Sequence, residues 1–240
     1  EGMNVARMNF SHGDHEEQLN KINLVKKVRQ QLNLPIAIML DTKGPEYRLG
    51  CFENKKITLN TGDTFTFTTR DVQGDQHCVS VNYPKLHEEM HPGDPILLNN
   101  GLVIFKVLRI EGQDIHCTVV TGGVLSDRKS MSFPGKVIKQ TYLSEQDKKD
   151  ILFGVQNGID YIACSFVSCK QDLLDVRDYM REINAEDIEL IAKIENQSGV
   201  DNIDEICQYC DGIMVARGDM GVEIPFEHLP AIQKKLITKC

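Results

Sequence analysis

The sequence predicts an α/β protein in which a parallel sheet covered by helices is interrupted by an all-β segment. Two patterns of apolar and polar residues along the chain support this prediction. Short apolar runs alternate with amphipathic helical stretches near both ends of the chain, and such a β-α series is typical of a parallel sheet. From Gly50 to about Gln140, apolar and polar residues alternate with period two between turn-forming glycines, which favours antiparallel strands.

Five strand-sized apolar runs predict the parallel sheet. These runs are Met3 to Ala6, Ile36 to Leu40, Tyr161 to Ala163, Leu190 to Ile194 and Gly212 to Ala216. Helices are predicted from the cap Ser144 to Gly154 and from Lys170 to Ile183. A closed eight-stranded α/β barrel needs about 250 residues, so we expect these strands to form an incomplete barrel.

The β segment is predicted to be a compact antiparallel barrel or sandwich. Its clearest strands are Thr64 to Thr68 and Ile115 to Val119, which alternate with period two. Turns are predicted at Gly62-Asp63, Gly74-Asp75, Gly93-Asp94 and Gly112-Gln113. Gly50 and Pro134-Gly135 are candidate hinges. The predicted domains are therefore an α/β domain over residues 1–50 and 140–240 and an inserted all-β lid over residues 51–139.

The charge and hydropathy patterns argue against two classes of partner. The formal net charge is -8 and the sequence pI is near 5.4, so binding of nucleic acid or of an acidic membrane would require a local basic patch, which is not obvious. No apolar stretch approaches the ~20 residues that span a bilayer. The chain opens at Glu1 with neither a signal peptide nor an initiator methionine, so we expect an upstream segment.

The cysteines indicate a reducing compartment. Eight of them are scattered through the chain, which favours a cytoplasmic location over a disulfide framework. Cys207 and Cys210 form the one CxxC pair, and with Ile203 and Ile206 they have the spacing of a single apolar helix face. Core packing is favoured over metal binding, because no second CxxC or histidine pair supplies further ligands.

The ends of the last two predicted strands carry the clearest candidates for chemistry, since functional side chains collect beyond the carboxyl ends of parallel strands. Lys193 and Glu195 share one face of an extended strand and follow a buried apolar run, whereas such a pair elsewhere is usually a surface ion pair. Arg217-Gly218-Asp219 follows the next strand. The carboxylates of Asp219 and Glu195 form a pair suited to magnesium. The glycine-containing turn around Asp219 suits a small anion.

The first two predicted strands end in cations and oxygen donors. Arg7, Asn9 and Ser11 fall on one face, and this set suits a phosphate together with a weakly charged cation. An ordinary strand-to-helix loop capped by Ser11 or Asp14 is the structural alternative. The second strand leads into Asp41 to Arg48, which contains further oxygen ligands followed by cations.

Four segments resemble the signature blocks of pyruvate kinase, in the order of that family. They are Met3 to Gly13 (MNVARMNFSHG), Leu40 to Glu46 (LDTKGPE), Ala192 to Asn196 (AKIEN) and Asp211 to Asp219 (DGIMVARGD). The resemblance spans nearly the whole chain and includes the family's β-domain insertion. It implies a (β/α)8 TIM-type barrel, incomplete as given, that transfers a phosphoryl group from phosphoenolpyruvate to ADP in glycolysis, giving pyruvate and ATP.

The resemblance also implies roles for individual residues. Glu195 and Asp219 match the ligands of Mg2+ or Mn2+, and Lys193 and Arg7 match contacts to the transferring phosphoryl group. Further matches are Asn9, Ser11, Asp41 and Thr42 for K+, the backbone of Ala216, Arg217, Gly218 and Asp219 for the substrate carboxylate, and His12, Arg48 and Lys129 for the nucleotide side. Glutamate at the Glu46 position goes with potassium dependence in the family. A homotetramer is implied for the full-length parent.

The chain departs from the family pattern at several positions. Asn99-Asn100-Gly101 replaces the usual Asp-Asp-Gly, Arg128-Lys129 replaces Lys-Lys, and Ser168 stands where many relatives have arginine. These changes affect contacts of the lid and the pocket rather than the metal site. The family's first barrel strand and the strands that follow the Cys240 position, with a threonine near the enol carbon, are absent from this sequence, so we expect the segment alone to be inactive.

Two other functions are compatible with these residues. A lyase that handles pyruvate or oxaloacetate on a similar barrel would also place magnesium on two strand-end carboxylates to stabilise an enolate. Such a lyase would need neither the β insertion nor the cluster around Arg7. A degenerate or partial gene product that acts by association is the non-enzymatic alternative, and the intact Lys193, Glu195 and Asp219 argue against it.

Overall fold

The computed structural model describes residues 2–136, 138 and 141–240, so the predicted boundary at Lys139 and Gln140 lies outside the described residues. The chain begins with β1 (Val5–Asn9), α1 (His15–Leu32) and β2 (Ala37–Asp41). It continues through β3 (Tyr47–Arg48), β4 (Lys56–Leu59), β5 (Thr64–Thr68), β6 (Cys78–Ser80), α2 (Leu86–Glu89), β7 (Pro95–Leu98), β8 (Val103–Glu111), β9 (Asp114–Thr121), β10 (Gly123–Ser126) and β11 (Ser130–Ser132). It then runs through α3 (Glu145–Gln156), β12 (Tyr161–Cys164), α4 (Lys170–Glu182), β13 (Glu189–Ile194), α5 (Gln197–Asp201), α6 (Ile203–Ile206), β14 (Gly212–Val215), α7 (Arg217–Glu223), a 3-10 helix (Phe226–His228) and α8 (Leu229–Lys239).

Two compact units divide the chain. One comprises the described residues of Glu1–Pro45, Gln140–Met220 and Glu227–Cys240, and we call it the α/β unit. The other comprises the described residues of Glu46–Lys139 and Gly221–Phe226, and we call it the β module. Within the described part of the chain, no helix combines the length and the apolar character needed to cross a membrane.

The α/β unit contains a five-stranded sheet in the order β1-β2-β12-β13-β14, with all four pairings parallel. The predicted α/β fold is therefore confirmed. Ile38, Leu40, Ile162 and Ala192 are completely buried, as expected for strands that are covered on both faces. All five strands consequently end at the same edge of the sheet, which brings their carboxyl-terminal residues together.

The first strand differs from its prediction. It runs over Val5–Asn9 instead of Met3 to Ala6, so Arg7 and Asn9 lie within the strand rather than beyond it. The apolar run was misleading because β1 alternates: Ala6 and Met8 are buried, whereas Val5 and Arg7 are exposed. Alternation of this kind is typical of a strand with one face in the core.

Local capping signals place the helices of the α/β unit. The Ser144 hydroxyl accepts a hydrogen bond from Asp147 N at 3.0 Å, so α3 begins where the sequence predicts. Helix α4, predicted over Lys170 to Ile183, covers Lys170–Glu182.

The predicted helix face that joins Cys207 to Cys210 is wrong. Helix α6 ends at Ile206, with Cys207 as its C-cap, and both thiols are only half-buried. The chain must turn here because Asp211 anchors the entry to β14: its N–H donates to Leu190 O, and its carboxylate accepts from Leu190 N, each at 2.8 Å.

The β module is a closed, mainly antiparallel barrel. A seven-stranded sheet in the order β3-β11-β7-β8-β9-β5-β6 contains one parallel pair, β5 with β6, and β4 pairs separately with β10. A bridge between Leu49 and Val81 joins the two outer strands of the larger sheet. The interior contains Phe65, Phe67 and Phe105, whose rings meet at centroid distances of 4.9 to 5.8 Å.

Gly50 belongs to this closing seam. Its N–H donates to Ser80 O at 2.8 Å, and its carbonyl accepts from Arg128 N at 3.1 Å. A Cβ at this position would lie 2.1 Å from Ser80 Oγ, so any larger residue would force the Ser80 side chain to move. Both backbone groups of this candidate hinge are thus bonded inside the β module.

Candidate active site at the ends of the parallel strands

Lys193, near the end of β13, lies at the centre of a buried polar cluster. Its Nζ is 2.9 Å from Asp41 Oδ1, 3.0 Å from Glu195 Oε1 and 2.7 Å from Ser165 Oγ. An ammonium group has three protons, and these three oxygens can accept all of them. The structure therefore brings Lys193 and Glu195 together, as their spacing predicts, and adds two acceptors from β2 and from the end of β12.

Burial and charge act in opposite directions on these groups. Burial disfavours the charged form of Lys193, but Glu195 and Asp41 outweigh it and raise the pKa of the ammonium. For Glu195, burial is the largest effect and raises the pKa of the carboxyl group; Asp219 acts in the same direction, against Lys193 and the Phe166 N–H. Lys193 is thus held as a cation at neutral pH, and the raised pKa of Glu195 means that a second cation nearby would favour its charged form.

Arg7, on β1, is connected to the same cluster through Asp41. Arg7 Nε is 2.9 Å from Asp41 Oδ2, and the Asp41 side chain is only 2% exposed. Asp41 thus lies between two cations, one on each carboxylate oxygen. The Arg7 side chain remains 50% exposed, so its guanidinium is accessible to a ligand.

The residues matched to K+ come from two adjacent strands. Asn9 and Asp41 are register partners in the β1–β2 pair, with Ser11 and Thr42 just beyond them. Asn9 Oδ1 accepts a hydrogen bond from Ser11 N at 2.9 Å, and Thr42 Oγ1 accepts one from Ser165 N at 3.1 Å. The donor set is uncharged oxygen plus one carboxylate, which suits a weakly charged cation, and each oxygen has a second lone pair to offer.

Glu195 and Asp219 fit a divalent cation by the chemistry of their donors. Glu195 is buried, whereas Asp219, in the first turn of α7, is exposed and still acts on the pKa of Glu195. Within the described part of the chain, no group of three or more His, Cys, Asp or Glu could hold a metal ion by itself. Two carboxylates with room for water and phosphate oxygens are the usual setting for Mg2+ at phosphate sites.

The turn between β14 and α7 has open space at Gly218, next to Asp219 in the sequence. Ala216 N donates to Ile194 O at 3.2 Å, which ties the turn to β13. Apart from its chain neighbours and the nearby backbone of α7, a Cβ built on Gly218 would meet no described atom within 4 Å. The backbone from Ala216 to Asp219 therefore borders open space of the kind that a small anion could fill.

Three functional candidates were missed by sequence reasoning, namely Ser165, Phe166 and Gln18. Ser165 and Phe166 follow β12 and contact Lys193 and Glu195 respectively. Gln18, on α1, donates from Nε2 to the carbonyls of Asn9 and His12 at 2.9 and 2.7 Å, and so holds the loop after β1. A serine, a phenylalanine and a glutamine are common in structural positions, and only the long-range contacts distinguish them.

The nucleotide-side candidates are distributed over both units. His12 lies in the α/β unit, in the loop held by Gln18. Arg48 and Lys129 lie in the β module, where Arg48 makes a bidentate pair with Glu46, at 2.9 Å for each contact.

The departure Asn99-Asn100-Gly101 forms the turn between β7 and β8. All three residues have positive φ angles, of 52°, 57° and 80°. Asparagine tolerates this left-handed conformation better than most residues, so the sequence of the turn matches its backbone.

A parallel α/β sheet with a lysine–carboxylate cluster at the carboxyl ends of its strands defines an enzyme of the α/β-barrel class. The family model described as "Pyruvate kinase, barrel domain" matches residues 1–240. The chain therefore belongs to the pyruvate kinase family.

Individual relatives agree with this assignment. Pyruvate kinases of Clostridium perfringens and Geobacillus stearothermophilus are each 46% identical over the whole chain, which covers 51% and 41% of their lengths. A crystal structure of a pyruvate kinase from Cryptosporidium parvum matches all of the chain and 50% of its own, with a TM-score of 0.94 and 38% identity. The chain thus spans about half the length of the relatives it matches.

Proposed function

We propose that the protein transfers the phosphoryl group of phosphoenolpyruvate to ADP, giving pyruvate and ATP, with Mg2+ or Mn2+ and K+ as cofactors. The observation that carries the proposal is the Lys193 ammonium held between Asp41 and Glu195 at the carboxyl ends of the strands. Membership of the pyruvate kinase family supports the choice of substrates. A cytoplasmic, homotetrameric full-length enzyme is part of the same proposal.

Lys193 and Arg7 would supply positive charge to the phosphoryl group in transit. Phosphoryl transfer depends mainly on positioning and on stabilising the charge of the equatorial oxygens. Lys193 is buried and charged, so its field is less weakened by water than that of an exposed lysine. Arg7 is fixed by Asp41 on one side while half of its side chain stays accessible.

Glu195 and Asp219 would hold the divalent cation, and the Ala216–Asp219 backbone would hold the substrate carboxylate. When bound, the divalent ion would neutralise phosphate oxygens and favour the enolate leaving group. Arg7 and Lys193 bring two formal positive charges, and Asp41, Glu195 and Asp219 bring three negative ones. The site alone is therefore formally negative, which suits cations bound before or together with an anionic substrate.

Asn9, Ser11, Asp41 and Thr42 would hold K+ beside the phosphoryl group. Asp41 would then both ligate K+ and orient Arg7 and Lys193. His12, Arg48 and Lys129 are proposed to face the nucleotide.

The test is kinetic and uses a full-length protein that carries residues 1–240, completed where necessary with the remaining segments of the Clostridium perfringens relative. Pyruvate formation from phosphoenolpyruvate and ADP is measured with Mg2+ and K+. We expect Lys193→Met to lower kcat by about 100-fold or more while KM for phosphoenolpyruvate changes little, because Lys193 acts on charge that develops during transfer.

Lys148→Met is the matched control, since Lys148 makes a surface pair with Glu145 and should leave kcat unchanged. An unaltered parent without turnover would contradict the proposed function. A Lys193→Met variant with normal kcat and a collapsed affinity would assign Lys193 to ground-state binding instead.

A further inference from the structure

We propose that Ser165 and Phe166 are positioning residues for the reaction: the Ser165 hydroxyl sets the Lys193 ammonium, and the Phe166 main-chain amide sets the Glu195 carboxylate. This inference rests on the proposed function. The two residues are consecutive and follow β12, which lies between the strands that carry Asp41 and Lys193. One turn of the chain thus contacts both charged groups of the ion pair.

The hydrogen bonds of the Ser165 hydroxyl determine which way its lone pairs face. Oγ is 2.6 Å from Thr42 O and 3.2 Å from Asp41 Oδ1, and 2.7 Å from Lys193 Nζ. The hydroxyl has one proton, and the shorter contact assigns it to the Thr42 carbonyl. The lone pairs then remain for the ammonium, so the hydroxyl acts as an acceptor that cannot be replaced by a methyl group.

The backbone of Ser165 is held from three sides. Its N–H donates to Thr42 Oγ1 at 3.1 Å, and its carbonyl accepts from the Tyr142 hydroxyl at 2.7 Å. On the third side the Gly44 backbone packs closely against Ser165, since a Cβ added to Gly44 would lie 2.9 Å from both Ser165 Cβ and Ser165 O. Ser165 itself is 2% exposed. The hydroxyl therefore has little freedom to follow Lys193, and Lys193 must take the position that the hydroxyl defines.

Phe166 contributes through its backbone. Its φ angle is 57°, a left-handed conformation that costs a bulky residue about 1 kcal/mol or more. In this conformation its N–H donates to Glu195 Oε2 at 2.7 Å, while Oε1 accepts from Lys193. The amide thus fixes the carboxylate with one oxygen toward Lys193, and hydrogen bonds to a charged acceptor are among the stronger ones.

Ser165→Ala tests the first half of the inference in the same full-length protein. We expect kcat to fall by about 10- to 100-fold with KM for phosphoenolpyruvate nearly unchanged, because the ammonium loses its third acceptor and shifts toward the two carboxylates. A crystal structure of the variant should show a displaced Lys193 Nζ. Ser144→Ala is the matched control: it removes a serine cap of similar structural importance, with no contact to Lys193, and should lower the melting temperature without changing kcat.

Equal loss of kcat in the two serine variants, or an unmoved Nζ with normal kcat, would overturn the inference while leaving the proposed function intact. An inactive parent would instead overturn the proposed function. If Ser165→Ala does not fold, Ser165→Cys replaces it, because the thiol has a similar shape but is a poor acceptor, and the same fall in kcat is expected.

Replacing the amide at Phe166 by an ester, with phenyllactic acid incorporated at this position, tests the second half. The change removes the N–H and keeps the side chain. We expect the affinity for Mn2+, measured by electron paramagnetic resonance without substrate, to weaken by about tenfold. An ester at Ile183, the C-cap of α4, is the control. Unchanged Mn2+ affinity in the Phe166 ester would contradict the role assigned to this amide.

Discussion

At the scale of single residues, the site depends on one buried carboxylate that serves two cations. Asp41 contacts Arg7 and Lys193 through different oxygens and also lies within reach of the Ser165 hydroxyl. Removing one partner of a buried pair usually costs about 3 kcal/mol or more, because the other partner stays buried without compensation. Without the Asp41 charge, Lys193, whose side chain is 11% exposed, would keep its pair with Glu195, whereas Arg7 would lose its carboxylate partner, so the cost should be smaller than that.

We therefore expect Asp41→Asn to lower the free energy of unfolding by about 2 kcal/mol, measured by urea denaturation. The matched control is Asp114→Asn in the β module, which removes the carboxylate from the exposed Arg70 pair and should cost much less. A larger loss of stability in Asp114→Asn than in Asp41→Asn would show that the buried cluster contributes less to folding than the exposed pair.

A second prediction at this scale concerns Glu46. In the family, glutamate at this position goes with potassium dependence. Here the Glu46 carboxylate makes a bidentate pair with Arg48. We expect Glu46→Lys in the full-length protein to reduce the activation of turnover by K+, because the new ammonium supplies fixed positive charge. The measurement compares rates in potassium chloride and in tetramethylammonium chloride. Equal rates of the parent in the two salts would rule out the potassium site.

At the scale of elements, the packing of α3 on β2 shows where tertiary contacts outweigh helix propensity. Gly154 lies in the last turn of α3, and a Cβ there would lie 2.5 Å from Leu40 Cδ1 and 2.9 Å from Ile159 Cδ1. Alanine is favoured over glycine inside a helix by about 1 kcal/mol. The clash works in the opposite direction, since overpacking a core costs about 1 to 3 kcal/mol.

We expect Gly154→Ala to lower the free energy of unfolding on balance, by about 1 kcal/mol, in thermal or urea denaturation. Because Leu40 directly precedes Asp41, this helix also supports the strand end that carries the site. A Gly154→Ala variant that is more stable than the parent would contradict this prediction. It would mean that Leu40 and Ile159 can move away from the new methyl group with little loss of packing energy.

At the scale of the whole molecule, the two units differ in how their sheets end. In the described sheet of the α/β unit, β1 and β14 each pair on one side only, and exposed strand edges favour association. The β module instead closes through the Leu49–Val81 bridge around its own aromatic core. Closed antiparallel pairing of this kind is local and leaves no long edge.

We expect the 240-residue chain, expressed alone, to bind Mn2+ weakly, to show no measurable pyruvate formation, and to lose its α/β unit first under limited trypsin digestion. A protected fragment of the β module, identified by mass spectrometry, is the expected product. Turnover near that of a full-length relative, or earlier loss of the β module, would contradict this prediction. The domain boundaries at residues 50/51 and 139/140 stay a prediction that the same digest tests.

The sequence alone determined the local features and the fold class. The Ser144 cap, the limits of α4 and the β-α rhythm depend on short-range rules, which is why the predicted helices and the parallel sheet agree with the structure. The strand-end positions of Lys193, Glu195 and Asp219 followed from the same rhythm, and the four family blocks supplied the roles proposed for them.

Local patterns were insufficient where chain segments return or meet. The apolar run misplaced β1 because one face of that strand carries Arg7 and Asn9, and helical spacing at Cys207 and Cys210 failed because the chain turns to place Asp211 against Leu190. Only the tertiary structure decided that Lys193 has three acceptors, since Ser165 is 28 positions away from it and Asp41 lies on another strand. Hydrogen bonds between distant strands depend on sheet order and register, and neither is encoded in the spacing of residues along one strand.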